Sequence, residues 1–143
     1  MVINSKLFNN IFQESIDTYH ISDDIDTHCP NPYKTGGIEN ILFEKNWIDT
    51  VQWHMEDLIR AVDIDPNQAL MLKRDIDASN QERTDTVEQL EDFLFNHFRN
   101  IEVQEDARIN TETPGWAIDR LSIINLKLYH FKDELTREGI STE

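Results

Sequence analysis

The stretch Lys45–Arg60, KNWIDTVQWHMEDLIR, decides the fold. It holds neither Gly nor Pro, so nothing in it interrupts a helix. Its apolar residues do not keep to one stripe. Ile48, Met55, Ile59 and Val62 follow one helical row, Trp47, Val51 and Leu58 a second, and Trp53 lies on a third side. A helix that is apolar on several sides is buried among other helices. Yet the same rows carry Asp49, Gln52, His54, Glu56, Asp57 and Arg60. A buried polar group costs about 1–3 kcal/mol unless it is paired. This helix is therefore expected at the centre, with partners for its polar side chains supplied by its neighbours.

Outward from it, the chain reads as helices separated by strong punctuation. Asn4 or Ser5 can cap a first helix running to about His20, with Ile3, Leu7, Ile11 and Tyr19 on a stripe that Phe8, Phe12 and Ile16 widen. Residues 22–37, SDDIDTHCPNPYKTGG, change character: Pro30, Pro32 and the pair Gly36-Gly37 mark a loop of unusual length. Long loops are either functional or wrapping connectors. The central helix is expected from near Ile38 to near Asp63. Asp65 then caps, Pro66 takes the first helical position and Gln68 can complete a capping box. No breaker follows until about Ile101, which implies a helix of about 35 residues and roughly 50 Å. Its seam reads Ala69, Leu72, Ile76, Asn80, Arg83, Val87, Leu90, Leu94 and His97 or Phe98, apolar at both ends and polar in the middle. Either the helix bends around Ser79-Asn80, or Asn80 and Arg83 point into the bundle.

Glu102 to Glu112 is a polar connection. Thr113-Pro114 starts a last helix, with Trp116, Leu121, Ile124, Leu128, Phe131 and Leu135 as its expected core side and Gly139 as its end. The chain holds no repeat, no low-complexity segment, no strand-period stretch of any length and no heptad long enough for a coiled coil. The expectation is all-α: one domain over 1–143, an antiparallel bundle of four main helices with one long loop at 22–37.

The 143 residues suit a single sizeable core. A formal net charge of −15 disfavours direct binding to nucleic acid or to an anionic membrane. It leaves room for cations or a basic partner. There is no apolar run long enough to span a bilayer, and the opening MVINSKLFNNIF is too polar for a signal peptide, so the expected location is the cytoplasm. Cys29 is the only cysteine, which excludes an intramolecular disulfide and a cysteine-rich zinc site. His28 and Pro30 flank it, but no positioned base marks it as a nucleophile.

No Walker loop, GxGxxG or GxSxG appears. Two His-x-x-Asp pairs do, His54…Asp57 and His130…Asp133, each placing an imidazole and a carboxylate on one helical face. With Glu56 and Asp49 they make Asp49, His54, Glu56 and Asp57 the candidate metal ligands. Di-iron bundles use the reverse order with Glu, so that match fails. A second constellation is mixed: Asp49, Glu56 and Arg60, then Lys73, Asp77, Asn80, Arg83 and Asp85, then Asp119 and Arg120. Carboxylates of this kind can hold Mg²⁺ or Mn²⁺ beside substrate phosphates, and arginines can grip those phosphates. Gln52, Trp53, Arg60, Lys73, Asn80, Arg83 and Arg120 are the candidate ligand-binding residues. The paired Glu-x-x-Glu of all-α nucleotide pyrophosphohydrolases is absent. Trp47, Trp53 and Trp116 are expected beside the cluster, either packing the core or stacking on a planar ligand.

The strings KNWIDTVQWHMED (45–57), LKRDIDASNQERTD (72–85) and NTETPGWAIDRLS (110–122) resemble a bacterial family catalogued as a domain of unknown function. The resemblance extends from about His28 to Phe131. It implies a bacterial, soluble, mostly helical protein and carries no activity, cofactor or catalytic residue. Two functional expectations follow from the residues. One is a small-molecule or phosphate-ligand site in the bundle interior, in its sharpest form a divalent-metal-dependent hydrolase. The other is a non-catalytic binding or assembly module whose buried polar network specifies helix pairing, including across a homodimer.

Overall fold

In a computed structural model that describes residues 3–136, four helices carry the chain: α1 (Ser5–Ser22), α2 (Ile38–Leu58), α3 (Pro66–Phe98) and α4 (Pro114–Thr136). The described residues include no strand, and the fold is all-α. Gly139, the expected end of α4, lies outside the described residues.

The helix starts follow local chemistry. Asn4 Oδ1 accepts from the Leu7 N–H at 3.0 Å. Asp65 accepts from the N–H groups of Asn67 and Gln68 ahead of α3, with Pro66 next in line. At α4 the expected Thr113 cap is weak, its Oγ1 lying 3.5 Å from the Trp116 N–H. The carboxylate of Glu91, on α3, accepts from the Gly115 N–H at 2.7 Å instead. A Cβ at 115 would collide with that carboxylate, so glycine is what lets α3 cap α4. α2 stops at Leu58 rather than near Asp63. The N–H groups of Arg60, Ala61 and Ile64 each bond three residues back, tightening the chain into turns ahead of the Asp65-Pro66 step.

α2 is the central helix, packing against α1, α3 and α4. Contacts fix the directions. Asp49 meets Arg83 while Gln52 meets Ser79, so α3 runs opposite to α2. Arg83 meets Asp119 while Glu91 meets Gly115, so α4 runs opposite to α3. Ser15 meets the Phe43 carbonyl while Tyr19 reaches His54, so α1 and α2 run the same way. The long loop makes this possible. It descends along α2, with Ile25 packed against the cluster of Met55, Leu72 and Ile76, and Tyr33 donating to Glu14 lower down. Asn31 ties its end to the Asn40 carbonyl at 2.8 Å.

The main core joins Phe12, Tyr19, Ile38, Leu42, Phe43, Trp47 and Leu90. Each such side chain contributes about 1.5–3 kcal/mol on burial. Two expectations about burial need correcting. α2 buries its N-terminal half most deeply, while Leu58 at its far end and Val62 in the turns beyond it are exposed. On α4 the buried residues are Gly115, Ile118, Asp119, Ser122 and Leu126. Trp116, Ile124, Leu128, Phe131 and Leu135, the expected core side, are 45% to 78% exposed. α4 turns its small and polar face inward because that face completes the network of α2.

Candidate ligand site in the bundle interior

Four charged side chains meet where α2, α3 and α4 approach. Lys45, fully buried, donates to Asp49 Oδ2 at 2.5 Å and lies 2.9 Å from Asp119 Oδ1. Arg83 enters from α3 with Nη2 2.9 Å from both Asp119 oxygens. Ser122 donates to Asp49 Oδ2 at 2.6 Å and accepts from the amide of Asn46 at 2.9 Å. Helical spacing assembles this: Lys45 and Asp49 are one turn apart on α2, as are Asp119 and Ser122 on α4. Two cations and two anions cancel, which is the condition for holding charge in a low-dielectric interior. Burial nonetheless pushes the Asp49 carboxyl up, against the opposing pull of Lys45, Ser122 and Arg83.

One atom of this network stands apart. Arg83 Nε lies 3.0 Å from Asp49 Oδ1 and 3.3 Å from Asp119 Oδ1, and its single hydrogen is directed at Asp119. Asp49 Oδ1 is thus attracted to a cation yet receives no hydrogen bond, although Asp49 is only 3% exposed. Asp49 lines a cavity of about 150 Å³ together with Gln52, Trp53, Glu56, Asp57, Arg60, Arg83 and Ile123. The structure therefore gathers seven residues named from sequence, Asp49, Gln52, Trp53, Glu56, Asp57, Arg60 and Arg83, around one space. Arg60 sits at the exposed mouth, 3.2 Å from Asp57 and 3.9 Å from Glu56. Gln52 is held by α3, accepting from Ser79 at 3.2 Å and donating to Asn80 at 3.0 Å.

Other candidates fall elsewhere. Asn80 keeps its bond to Gln52 but is exposed, contrary to the seam reading, because the seam's inward polar positions are Ser79 and Arg83. Lys73 is exposed and paired with Asp77 along α3. Arg120 is exposed and paired with Glu112. Trp116 and Asn80 border a smaller cavity with Arg83, Thr84 and Asp119. Trp47 packs edge-on to Tyr19 in the core.

His54 faces away from the quartet, into a cleft of about 470 Å³ between α1, α2 and α4. Both His-x-x-Asp pairs line this cleft, together with His20, Asp23, Thr50 and Tyr129. His54 Nδ1 bonds the Tyr19 hydroxyl at 2.7 Å, and His130 stacks on Trp53 with ring centroids 4.8 Å apart. Burial and then the neighbouring His20 push the His130 imidazole down, against Asp57, Asp133 and Asp23. Among the described residues no three His, Cys, Asp or Glu side chains are grouped to hold a metal ion. Trp53 and Asp57 border both the cleft and the cavity, forming the partition between them. Cys29 is half-buried, with its thiol pushed up to about 11 by burial and by Glu44.

Lys45, Asn46 and Ser122 were not singled out from sequence. For Lys45 the signal is present: Ile38, Leu42, Lys45 and Asp49 lie on one helical row, so a lysine shares the row of two core residues. Serine and asparagine offer no such signal, since both are ordinary on exposed faces.

These elements define an all-α bundle with a buried ionic centre. The sequence profile of one family, described as a protein of unknown function (DUF4254), matches residues 39–143. The chain belongs to that family. The match covers α2, α3 and α4, and so every member of the quartet. No curated protein and no solved structure matches the chain. No helix among the described residues is long and apolar enough to cross a membrane.

Proposed function

We propose that the cavity over Asp49 binds a small polar molecule that presents an N–H or O–H donor to Asp49 Oδ1. The observation that carries this reading is that buried acceptor without a donor, on a residue that lines a cavity of about 150 Å³. A buried polar group left unbonded costs about 1–3 kcal/mol, and a ligand that satisfies it recovers that cost on binding. The lining favours an amine or polyol over a phosphate ester. Both cations on it already hold carboxylates, Arg83 with Asp49 and Asp119, and Arg60 with Glu56 and Asp57. A phosphate would have to displace those partners, or arrive with Mg²⁺ or Mn²⁺ held by Glu56 and Asp57 as a hydrolase would hold it.

The test is a thermal-shift panel of amines, polyols and nucleotides, each with and without Mg²⁺ or Mn²⁺, on the wild type and on Gln52→Leu and Glu56→Gln. An amine or polyol should raise the melting temperature of the wild type alone, with about 2.7 kcal/mol of stabilisation at a hundredfold excess over Kd. Metal-dependent stabilisation by nucleotides, lost in Glu56→Gln, would favour the hydrolase instead. A panel that stabilises nothing would leave the quartet as a purely structural device.

A further inference from the structure

The outer face of α4 carries a pattern that the single chain uses only in part. Ala117, Leu121, Ile124, Leu128, Phe131 and Leu135 are spaced alternately four and three residues apart. That is the seam of a heptad, Leu121, Leu128 and Leu135 at a and Ala117, Ile124 and Phe131 at d. Ile124, Leu128, Phe131 and Leu135 are 50%, 51%, 63% and 78% exposed. The fully buried residues of α4 lie on another face; Leu121, at the edge of the seam, packs against the core, while Ile124, Leu128, Phe131 and Leu135 stay exposed and are not needed for the fold. It spans under three heptads, too short for an isolated coiled coil. Here the helix is already formed by packing on α1, α2 and α3, so the cost of ordering it does not fall on the seam.

We infer that this seam pairs antiparallel with the same seam of a second copy of the chain, giving a two-fold dimer. The charge pattern selects the occupant and the direction. The g positions flanking the seam are Arg120, Lys127 and Glu134, basic toward the start of α4 and acidic toward its end. In the antiparallel register that sets Leu128 against Ile124, Leu121 against Phe131 and Leu135 against Ala117, all six seam positions find partners. The same register sets Arg120 opposite Glu134 of the second copy, twice by symmetry. Arg120 already holds Glu112 in its own chain, and a guanidinium has five donors, enough for both carboxylates. A parallel pair would instead set each g position against the e position of the next heptad, Arg120 against Asn125 and Lys127 against Lys132 of the second copy, and would pair no opposite charges there. Lys127 meets Lys127 of the second copy near the axis, the one like-charge contact of this register.

Two measurements on the full chain test this. Sedimentation equilibrium should show a dimer. Leu128→Glu should raise its dissociation constant by more than about a hundredfold with helicity unchanged, since one leucine leaves each of two symmetry-related buried layers. Arg120→Glu and Glu134→Arg should each weaken the dimer by about threefold to tenfold, and the double swap should restore it. Independently of any variant, a short amine cross-linker on the wild type should join Lys127 to Lys127 between copies. A monomer at every concentration, or a dimer indifferent to Leu128→Glu, overturns the seam. A double swap that restores nothing, or no Lys127–Lys127 cross-link in a dimer, overturns the antiparallel register.

Discussion

Asp49 sits between two cations and keeps one oxygen unbonded, and on the reading proposed above that oxygen is where a ligand's donor would bind. Its neighbours must be judged by what they leave behind when removed. Glu56→Gln, at the cavity wall, should change the melting temperature by under about 1 kcal/mol equivalent, because the side chain is partly exposed and its ion pair with Arg60 is long. His130 gives a pH dependence whose sign can be worked out. Its imidazole titrates lower in the folded chain than the ordinary 6.5, chiefly through burial and His20, with Asp57, Asp133 and Asp23 opposing. The folded state therefore binds its proton less readily than the unfolded state. The stability it contributes is present above pH 6.5 and is lost as pH falls below that value. Urea midpoints at about pH 7.5 and about pH 5.5 should differ less in His130→Gln than in the wild type; an equal difference in both would assign the slope to other groups. Cys29, with its thiol near 11, should react with iodoacetamide at pH 8 only slowly until the chain is unfolded, and fast labelling of the native chain would contradict the burial assigned to it.

The helices themselves were largely legible. Breakers and caps placed all four: Asn4 and Asp65-Pro66 act locally and need no tertiary partner, while Gly36-Gly37 and Thr113-Pro114 mark where α2 and α4 begin. Less legible was whatever a neighbour decides. The start of α4 depends on Glu91 from α3, and the inward face of α4 is set by Asp119 and Ser122 bonding to α2, which outweighs the more apolar stripe opposite. The direction of α1 relative to α2 was hidden for the same reason, because the sequence shows a long loop but not the path it takes. Two substitutions separate local from tertiary caps. Asp65→Ala should cost about 1 kcal/mol as an ordinary N-cap loss. Glu91→Ala should cost a similar amount through α4, and Gly115→Ala should destabilise too, although alanine is the better helix former, because its methyl group displaces Glu91. Gly115→Ala more stable than the wild type would show that Glu91 is not a cap.

At the scale of the molecule, the candidate site was partly legible because α2 carries too many polar residues for a helix that is apolar on several sides. Seven of its expected residues do surround one cavity, and His54, Lys73, Asn80 and Arg120 stand apart from it. Sequence spacing gives the face of a helix but not which neighbour that face meets, which is why His54 opens onto the cleft while Asp57, beside Trp53, borders both spaces. The net charge of −15 acts on the whole surface. Raising NaCl from about 20 mM to about 200 mM should raise the melting temperature by screening that self-repulsion. The buried quartet should be insensitive to it. The central claim, that Lys45, Asp49, Arg83 and Asp119 form one neutral unit around which α2, α3 and α4 assemble, is tested most directly by a double-mutant cycle in urea. Arg83→Met alone should lose about 3–5 kcal/mol, since it leaves two buried carboxylates to share Lys45. Arg83→Met with Asp119→Leu should recover most of that loss, with a coupling of about 2 kcal/mol or more. If Arg83→Met leaves stability unchanged or raises it, or if the two losses simply add, the quartet is not the unit that holds the bundle.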